Sequence, residues 1–189
     1  MVKAMKPKLI VINGPLGSGK STLAQKYTDN HPVTLNLDID KIWSMLGHWR
    51  EQKDTTGPLS KRIALSMAKV VLNEGHDVVV PQILQTKELA DSLQELADEC
   101  SADYFEILLD VPKKESIKRF VARGKAQGYP NGFRVGGIID SSGRETKLAE
   151  MHDNMTAVTH NRPHVIKLEP ILGDIEATYN SLLQVLSHG

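Results

Sequence analysis

Two kinds of apolar pattern alternate along this chain. The first kind is short and unbroken. Lys8–Ile12, Val33–Leu37, Asp77–Val80, Tyr104–Leu109 and His164–Leu168 are runs of about four to six residues dominated by aliphatic and β-branched side chains. Runs without polar alternation predict strands buried on both faces. The second kind repeats with a helical period. Leu23, Ala24 and Tyr27 share one face after the first run, and Lys41 to Leu46 read as a short helix closed by Gly47. Pro58 stands where a longer helix would begin, with Ala64, Met67, Ala68 and Val71 turned inward. Leu89, Leu93, Leu96 and Ala97 form the stripe of a helix from Thr86 onward. Pro112 opens one that carries Ile117, Phe120 and Val121. Leu148, Met151, Met155 and Val158 face inward on a helix from about 142 to 160, and Asp174 caps a last one with Ile175, Tyr179, Leu182, Leu183 and Leu186 on its core face.

Strand and helix in strict alternation predict an α/β fold, a five-stranded parallel sheet with helices on both faces, as a single domain over residues 1–189. One stretch has neither period. Gln127 to Gly137 is rich in glycine and too long for a routine connection. It is expected to form a small mobile lid over about 127–141. Ligands of such sheets bind at the carboxyl ends of the strands.

The most informative stretch comes directly after the first apolar run. Gly14-Pro15-Leu16-Gly17-Ser18-Gly19-Lys20-Ser21 fits G-x-x-x-x-G-K-[ST] at every fixed position, between a strand and a helix. Its glycines permit a tight turn, and backbone amides at a helix N-terminus gather round an anion. Lys20 would meet the β- and γ-phosphates of a nucleoside triphosphate, and the Ser21 hydroxyl would ligate Mg²⁺. Residues 14–21 and Thr22 are thus the expected nucleotide-binding segment, with ATP and Mg²⁺ as the cofactors. A second signal is the pair Asp38 and Asp40 at the end of the second run. In an extended segment, residues two apart point the same way, so both carboxylates would face the phosphate site. The competing reading makes one of them, Asp40, a cap for the next helix.

Composition narrows the choice of partner. Lys plus Arg and Asp plus Glu both number 23, so the formal net charge is +0. That counts against nucleic acid, which calls for a basic surface. Cys100 is the one cysteine, read as a small hydrophobe, so no intrachain disulfide forms and a cytoplasmic location is expected. The basic start is followed by an apolar run too short for a signal peptide, and no run approaches the roughly 18 apolar residues of a membrane span. The seven histidines show no metal-ligand spacing, and His160 and His164 are read as structural. Trp43 is expected in the core, and Trp49 beside Arg50 on the surface. Oligomeric state is not legible.

The loop from Gly14 to Ser21, with a strand ending in Asp38-Ile39-Asp40, resembles the small P-loop phosphotransferases: shikimate, gluconate and adenylylsulfate kinases, chloramphenicol phosphotransferase and the zeta-toxin kinases. The resemblance spans nearly the whole chain in element order. It implies transfer of the γ-phosphoryl group of ATP to a small-molecule hydroxyl. It places Asp38 in the magnesium shell and Asp40 on the acceptor hydroxyl. Arg119, Arg123 and Arg134 match the arginines that such enzymes carry after the fourth strand and in the lid, with Arg144 a further candidate. Two departures stand out. The third strand ends Val80-Pro81-Gln82, without the acidic residue usual there; Asp110 after the fourth strand could substitute, but it reads first as a turn residue before Val111-Pro112. The arginine arrangement with which shikimate kinase holds a carboxylate is also missing, so the acceptor is open. It would lie against His48–Gly57 and Pro81–Gln85, with Trp43, Trp49, Arg50 and Gln82 within reach. Rival readings are a polynucleotide 5′-hydroxyl kinase and a nucleotide-dependent regulatory ATPase.

Overall fold

A computed structural model describes residues 6–126, 144–171 and 173–187, and the side chains of residues 144 and 145 lie outside that description. Its five strands are β1 (Lys8–Asn13), β2 (Leu35–Asn36), β3 (Val78–Pro81), β4 (Asp103–Leu109) and β5 (Val165–Leu168). All are parallel and lie in the order β2-β3-β1-β4-β5. The described residues form seven helices, α1 (Lys20–Asn30), α2 (Ile39–Met45), α3 (Lys53–Asn73), α4 (Lys87–Glu99), α5 (Lys113–Ala126), α6 (Arg144–His160) and α7 (Ile175–Ser187).

Why the strands read as unbroken apolar runs is visible in β1. Leu9 and Val11 point into a core built with α3 and α4, where they meet Ala64, Ala68, Leu72 and Leu93. Ile10 and Ile12 point the other way, toward Leu23, Ala24, Tyr27, Tyr179 and Leu182 of α1 and α7. All four are fully buried. Each such side chain contributes about 1.5–3 kcal/mol by leaving water. A third cluster seals α5 and α6 against the end of the sheet, with Leu108, Leu148, Met151 and Met155 buried and Ile117, Phe120 and Val121 packed on them.

The expected elements are present, but three boundaries move. The second strand is only Leu35–Asn36, because Val33, at φ 65°, turns the chain in the left-handed region before the pairing with β3 starts. Helix α2 begins at Ile39 rather than Lys41. Helix α3 begins at Lys53, so Pro58 lies inside it instead of at its start. Proline there forgoes the bond to the carbonyl four residues back. The preceding turn is held instead by side chains. The buried Thr56 hydroxyl lies 2.9 Å from the Gln52 carbonyl and 3.0 Å from that of Trp49, and it accepts from Trp43 Nε1 at 2.9 Å.

Between α6 and the sheet runs a buried polar network. Arg162 donates through Nε to Glu106 at 2.7 Å, and through its two terminal nitrogens to Asp91 at 2.6 Å and Gln94 at 3.0 Å. Glu106 is 2% exposed and also accepts from the Tyr104 hydroxyl. This fastens the C-terminal end of α6 to α4 and β4.

Candidate active site

Sequence puts the site where strands end. After Asn13 the chain leaves the sheet and turns three times through positive φ, at Gly14 (152°), Gly17 (82°) and Gly19 (101°). The glycine at 17 is dictated by protein as much as by ligand. A Cβ there would lie 2.6 Å from the Ser116 carbonyl oxygen and 2.9 Å from the Phe120 nitrogen, both backbone atoms of α5. At Gly14 a Cβ would meet Ser18 Oγ at 2.8 Å and the Leu109 carbonyl oxygen at 3.0 Å. The loop is therefore pressed between α5 and the end of β4 and held rigid.

Its free amides gather at the start of α1, where no side chain caps Gly19. Helix starts carry orphan donors that need an acceptor. Ser18 Oγ is buried and, among the described residues, has no partner. An orphan hydroxyl and uncapped amides on a glycine-lined loop fit a polyphosphate. Lys20 is buried, and its ammonium folds back to donate to the carbonyls of Gly14 (2.8 Å) and Pro15 (2.9 Å). Burial, and then the charge of Arg123, push its pKa down to about 8, while Asp40 and Asp38 pull it up. A lysine so perturbed is poised to gain from an anion.

A cavity of about 190 Å³ opens over this loop, lined by Lys20, Ser21, Thr22, Asp38, Asp40, Pro81, Ile83 and Arg123. The two aspartates do share it, though not for the expected reason. Asp38 is the N-cap of α2, with Oδ1 accepting from the amides of Asp40 (3.1 Å) and Lys41 (3.3 Å). Asp40 lies in the first turn of that helix. So Asp38 takes the cap position expected of Asp40, and a helical start rather than an extended strand brings both carboxylates to one cavity. Solvent reaches Asp40, yet protein crowds it. That crowding and the neighbouring Asp38 push its carboxyl above the ordinary range, against a hydrogen bond from Gln82 and the charge of Lys20.

The arginines separate. Arg123 lines the cavity with Lys20 and the aspartates, its guanidinium 5.5 Å from the Phe120 ring centre. Arg119 turns to the other side of the loop. It pairs with Glu115 at 2.9 Å and lines a second cavity of about 300 Å³ with Gly17, Thr22, Pro170, Ile171 and Asp174. Arg134 and the lid expected over 127–141 lie outside the described residues, as does the Arg144 side chain. Asp110 lies away from the phosphate cavity. It is exposed, 3.9 Å from Lys167. Trp43 and Trp49 are both half-buried and pack edge to face at 4.7 Å, with the Arg50 guanidinium 4.3 Å over Trp49. Neither tryptophan is purely core or surface. Cys100 is half-buried at the rim of the α3–α4 core.

Two features were not legible. One is the second cavity, whose wall at Pro170–Asp174 carries no motif. The other is Asn13, directly before the loop, a polar side chain buried at the end of β1 and bonded to three separate segments.

For a metal, the described residues contain no group of three or more His, Cys, Asp or Glu side chains. The side-chain oxygens on the residues that line the cavity are those of Ser21, Thr22, Asp38 and Asp40. Few protein oxygens beside a phosphate site suit Mg²⁺, which keeps waters and leans on substrate phosphates. No helix among the described residues is long and apolar enough to cross a membrane.

An all-parallel sheet in this strand order, with a glycine loop and buried lysine at the end of its central strand, defines an α/β P-loop fold of the kind found in kinases. The chain belongs to the AAA domain family (AAA_33), matched over residues 9–134. Its fold is similar to that of a putative kinase from Chloroflexus aurantiacus, at 16% identity and a TM-score of 0.67 over 99% of this chain and 100% of that one. It is similar to shikimate kinase from Acinetobacter baumannii in complex with shikimate, at 15% identity and a TM-score of 0.63 over 98% and 95%. It is also similar to the APS kinase of Mycobacterium tuberculosis in complex with AMPPNP and APS, at 18% identity and a TM-score of 0.59 over 96% and 98%. No curated protein matches it in sequence.

Proposed function

We propose that this protein is a cytoplasmic, Mg²⁺-dependent phosphotransferase that moves the γ-phosphoryl group of ATP to a hydroxyl of a small molecule. The observation that carries the reading is the meeting of Lys20, Ser21, Asp38, Asp40 and Arg123 around one cavity of about 190 Å³. Phosphoryl transfer is catalysed by positioning and charge stabilisation, and these residue types supply both. The amides of Gly17, Gly19, Lys20 and Ser21 and the Lys20 ammonium hold the β- and γ-phosphates. Ser21 and Asp38 would hold the metal, which when bound neutralises phosphate charge. Arg123 stabilises negative charge on the transferring group.

Asp40 takes the acceptor end. Its carboxyl, raised by crowding and by Asp38, orients the attacking hydroxyl and accepts its proton. Gln82 beside it favours the charged form of that carboxyl. The neutral balance of charge, 23 basic against 23 acidic residues, supports a small acceptor over a polynucleotide. The test is a pair of substitutions. Asp40→Asn should lower kcat about 10²- to 10⁴-fold with ATP affinity near normal, because a general base contributes about that factor. Asp38→Asn should instead raise the magnesium requirement. Full kcat in Asp40→Asn would reduce Asp40 to a helix residue.

A further inference from the structure

Asn13 is the last residue of β1 and is fully buried. A polar side chain in that position is costly unless its groups are bonded. Both its oxygen and its nitrogen are. Oδ1 accepts from the amide of Gly14, the first residue of the phosphate loop, at 2.8 Å. The same oxygen accepts from the amide of Leu84 at 3.0 Å. Leu84 follows Gln82 and Ile83 in the segment that leaves β3, and Pro81 and Ile83 line the phosphate cavity together with the loop. Nδ2 lies 3.4 Å from Thr159 Oγ1, in the last turn of α6. The Thr159 hydroxyl itself donates to the Met155 carbonyl at 2.7 Å.

One oxygen thus serves two backbone amides, one from each of the two segments that leave the paired strands. β1 and β3 are paired in register up to Ile12 and Pro81, and the Gln82 amide still donates to the Ile12 carbonyl at 3.1 Å. Beyond that point the strands part, one into the phosphate loop and one into the wall that carries Gln82. The Asn13 side chain continues the ladder across the gap between them. We propose that Asn13 is a positioning residue: it sets the distance between the phosphate loop and the Pro81–Leu84 wall and ties both to α6, so that nucleotide bound on the loop is felt in the wall. Leucine fills similar space but bonds neither amide. Serine is too short to reach both.

The inference rests only on the nucleotide-binding half of the proposed function, and its test uses a non-hydrolysable probe. AMPPNP binding is measured by calorimetry for the wild type, Asn13→Ala, Asn13→Leu and Thr159→Val. Backbone hydrogen exchange is followed over residues 14–20, 82–86 and 155–160, with and without AMPPNP. In the wild type, AMPPNP should slow exchange in the loop, in the wall and over 155–160. In Asn13→Ala and Asn13→Leu it should still bind within about tenfold, as hydrogen bonds away from the ligand change affinity modestly. Leu84 should exchange at least about tenfold faster without ligand, and the response of 82–86 to AMPPNP should disappear. Thr159→Val should lose only the response of 155–160.

An unchanged wall response in folded Asn13 variants overturns the proposal. So does loss of AMPPNP binding in a folded variant, which would make Asn13 a support of the loop alone. If neither variant folds, Asn13→Ser, which retains one acceptor, is read by the same criteria. Absence of any phosphoryl acceptor would sink the phosphotransferase reading and leave this result standing.

Discussion

Lys20 should take up a proton when nucleotide binds, and the amount should depend on pH in a way the site fixes. Its ammonium is buried on two carbonyl oxygens, with Arg123, Asp38 and Asp40 around the same cavity. Its pKa falls from the ordinary 10.5 to about 8. That displacement is worth about 3 kcal/mol against the charged form. A polyphosphate beside it favours the charged form and reverses the shift. Protons taken up on binding should then be about 0.1 at pH 7, about 0.5 at pH 8 and about 0.9 at pH 9, from the fraction of Lys20 neutral before binding. Above pH 8 affinity should fall by up to about tenfold per unit. The sign for folding runs the other way. Between about 8 and 10.5 the unfolded chain holds a proton that the folded, nucleotide-free chain has lost, so stability of that form rises with pH across this window. Calorimetry of AMPPNP binding in buffers of different ionisation enthalpy reads the uptake directly. Subtracting the same titration of Lys20→Met removes the nucleotide's own protonation. A difference that is flat from pH 7 to 9 would refute the account of Lys20.

The packing sets the size of two further perturbations. Gly17→Ala should cost about 2–5 kcal/mol in thermal or urea unfolding, summing left-handed strain and a clash with α5 backbone, whereas Gly19→Ala, with no atom within 4 Å of its Cβ, should cost only about 1–2. Equal losses at the two positions would contradict the close approach of loop and α5. Arg162→Met leaves the Glu106 carboxylate, 2% exposed, without its cation and should destabilise by about 3–5 kcal/mol. Adding Glu106→Leu should restore most of that loss in the same urea titration, and no recovery would mean that the network is not the cause.

What the sequence disclosed and what it hid divide along physical lines. The sheet was legible because each strand is buried on both faces, which leaves unbroken apolar runs such as Leu9–Ile12. Helix stripes were legible where one face packs, as with Leu89, Leu93, Leu96 and Ala97. The phosphate loop was legible because its chemistry is local, eight contiguous residues in a fixed order. Placements that depend on distant chain were not. Asp38 and Asp40 look the same as strand end or helix start, and the Asp38 cap bonds decide for the helix. Pro58 reads as a helix start until the Thr56 network is known to hold the turn before it. Arg119 and Arg123, one helical turn apart, diverge because Glu115 draws one of them aside. Asn13 carries no signal at all, since its partners lie one, 71 and 146 residues away.

The central claim is that the γ-phosphoryl group leaves ATP for an organic hydroxyl under the guidance of Asp40. It is tested most directly by following that group. ATP labelled in its γ-phosphoryl group is incubated with the protein, Mg²⁺ and a panel of small hydroxy compounds, with a 5′-hydroxyl oligonucleotide as a separate arm. Label should pass to one class of small hydroxyl compound, at a rate well above its release as inorganic phosphate, and that transfer should be lost in Asp40→Asn. Label that passes only to inorganic phosphate at one rate whatever is added, or only to the oligonucleotide, would contradict it.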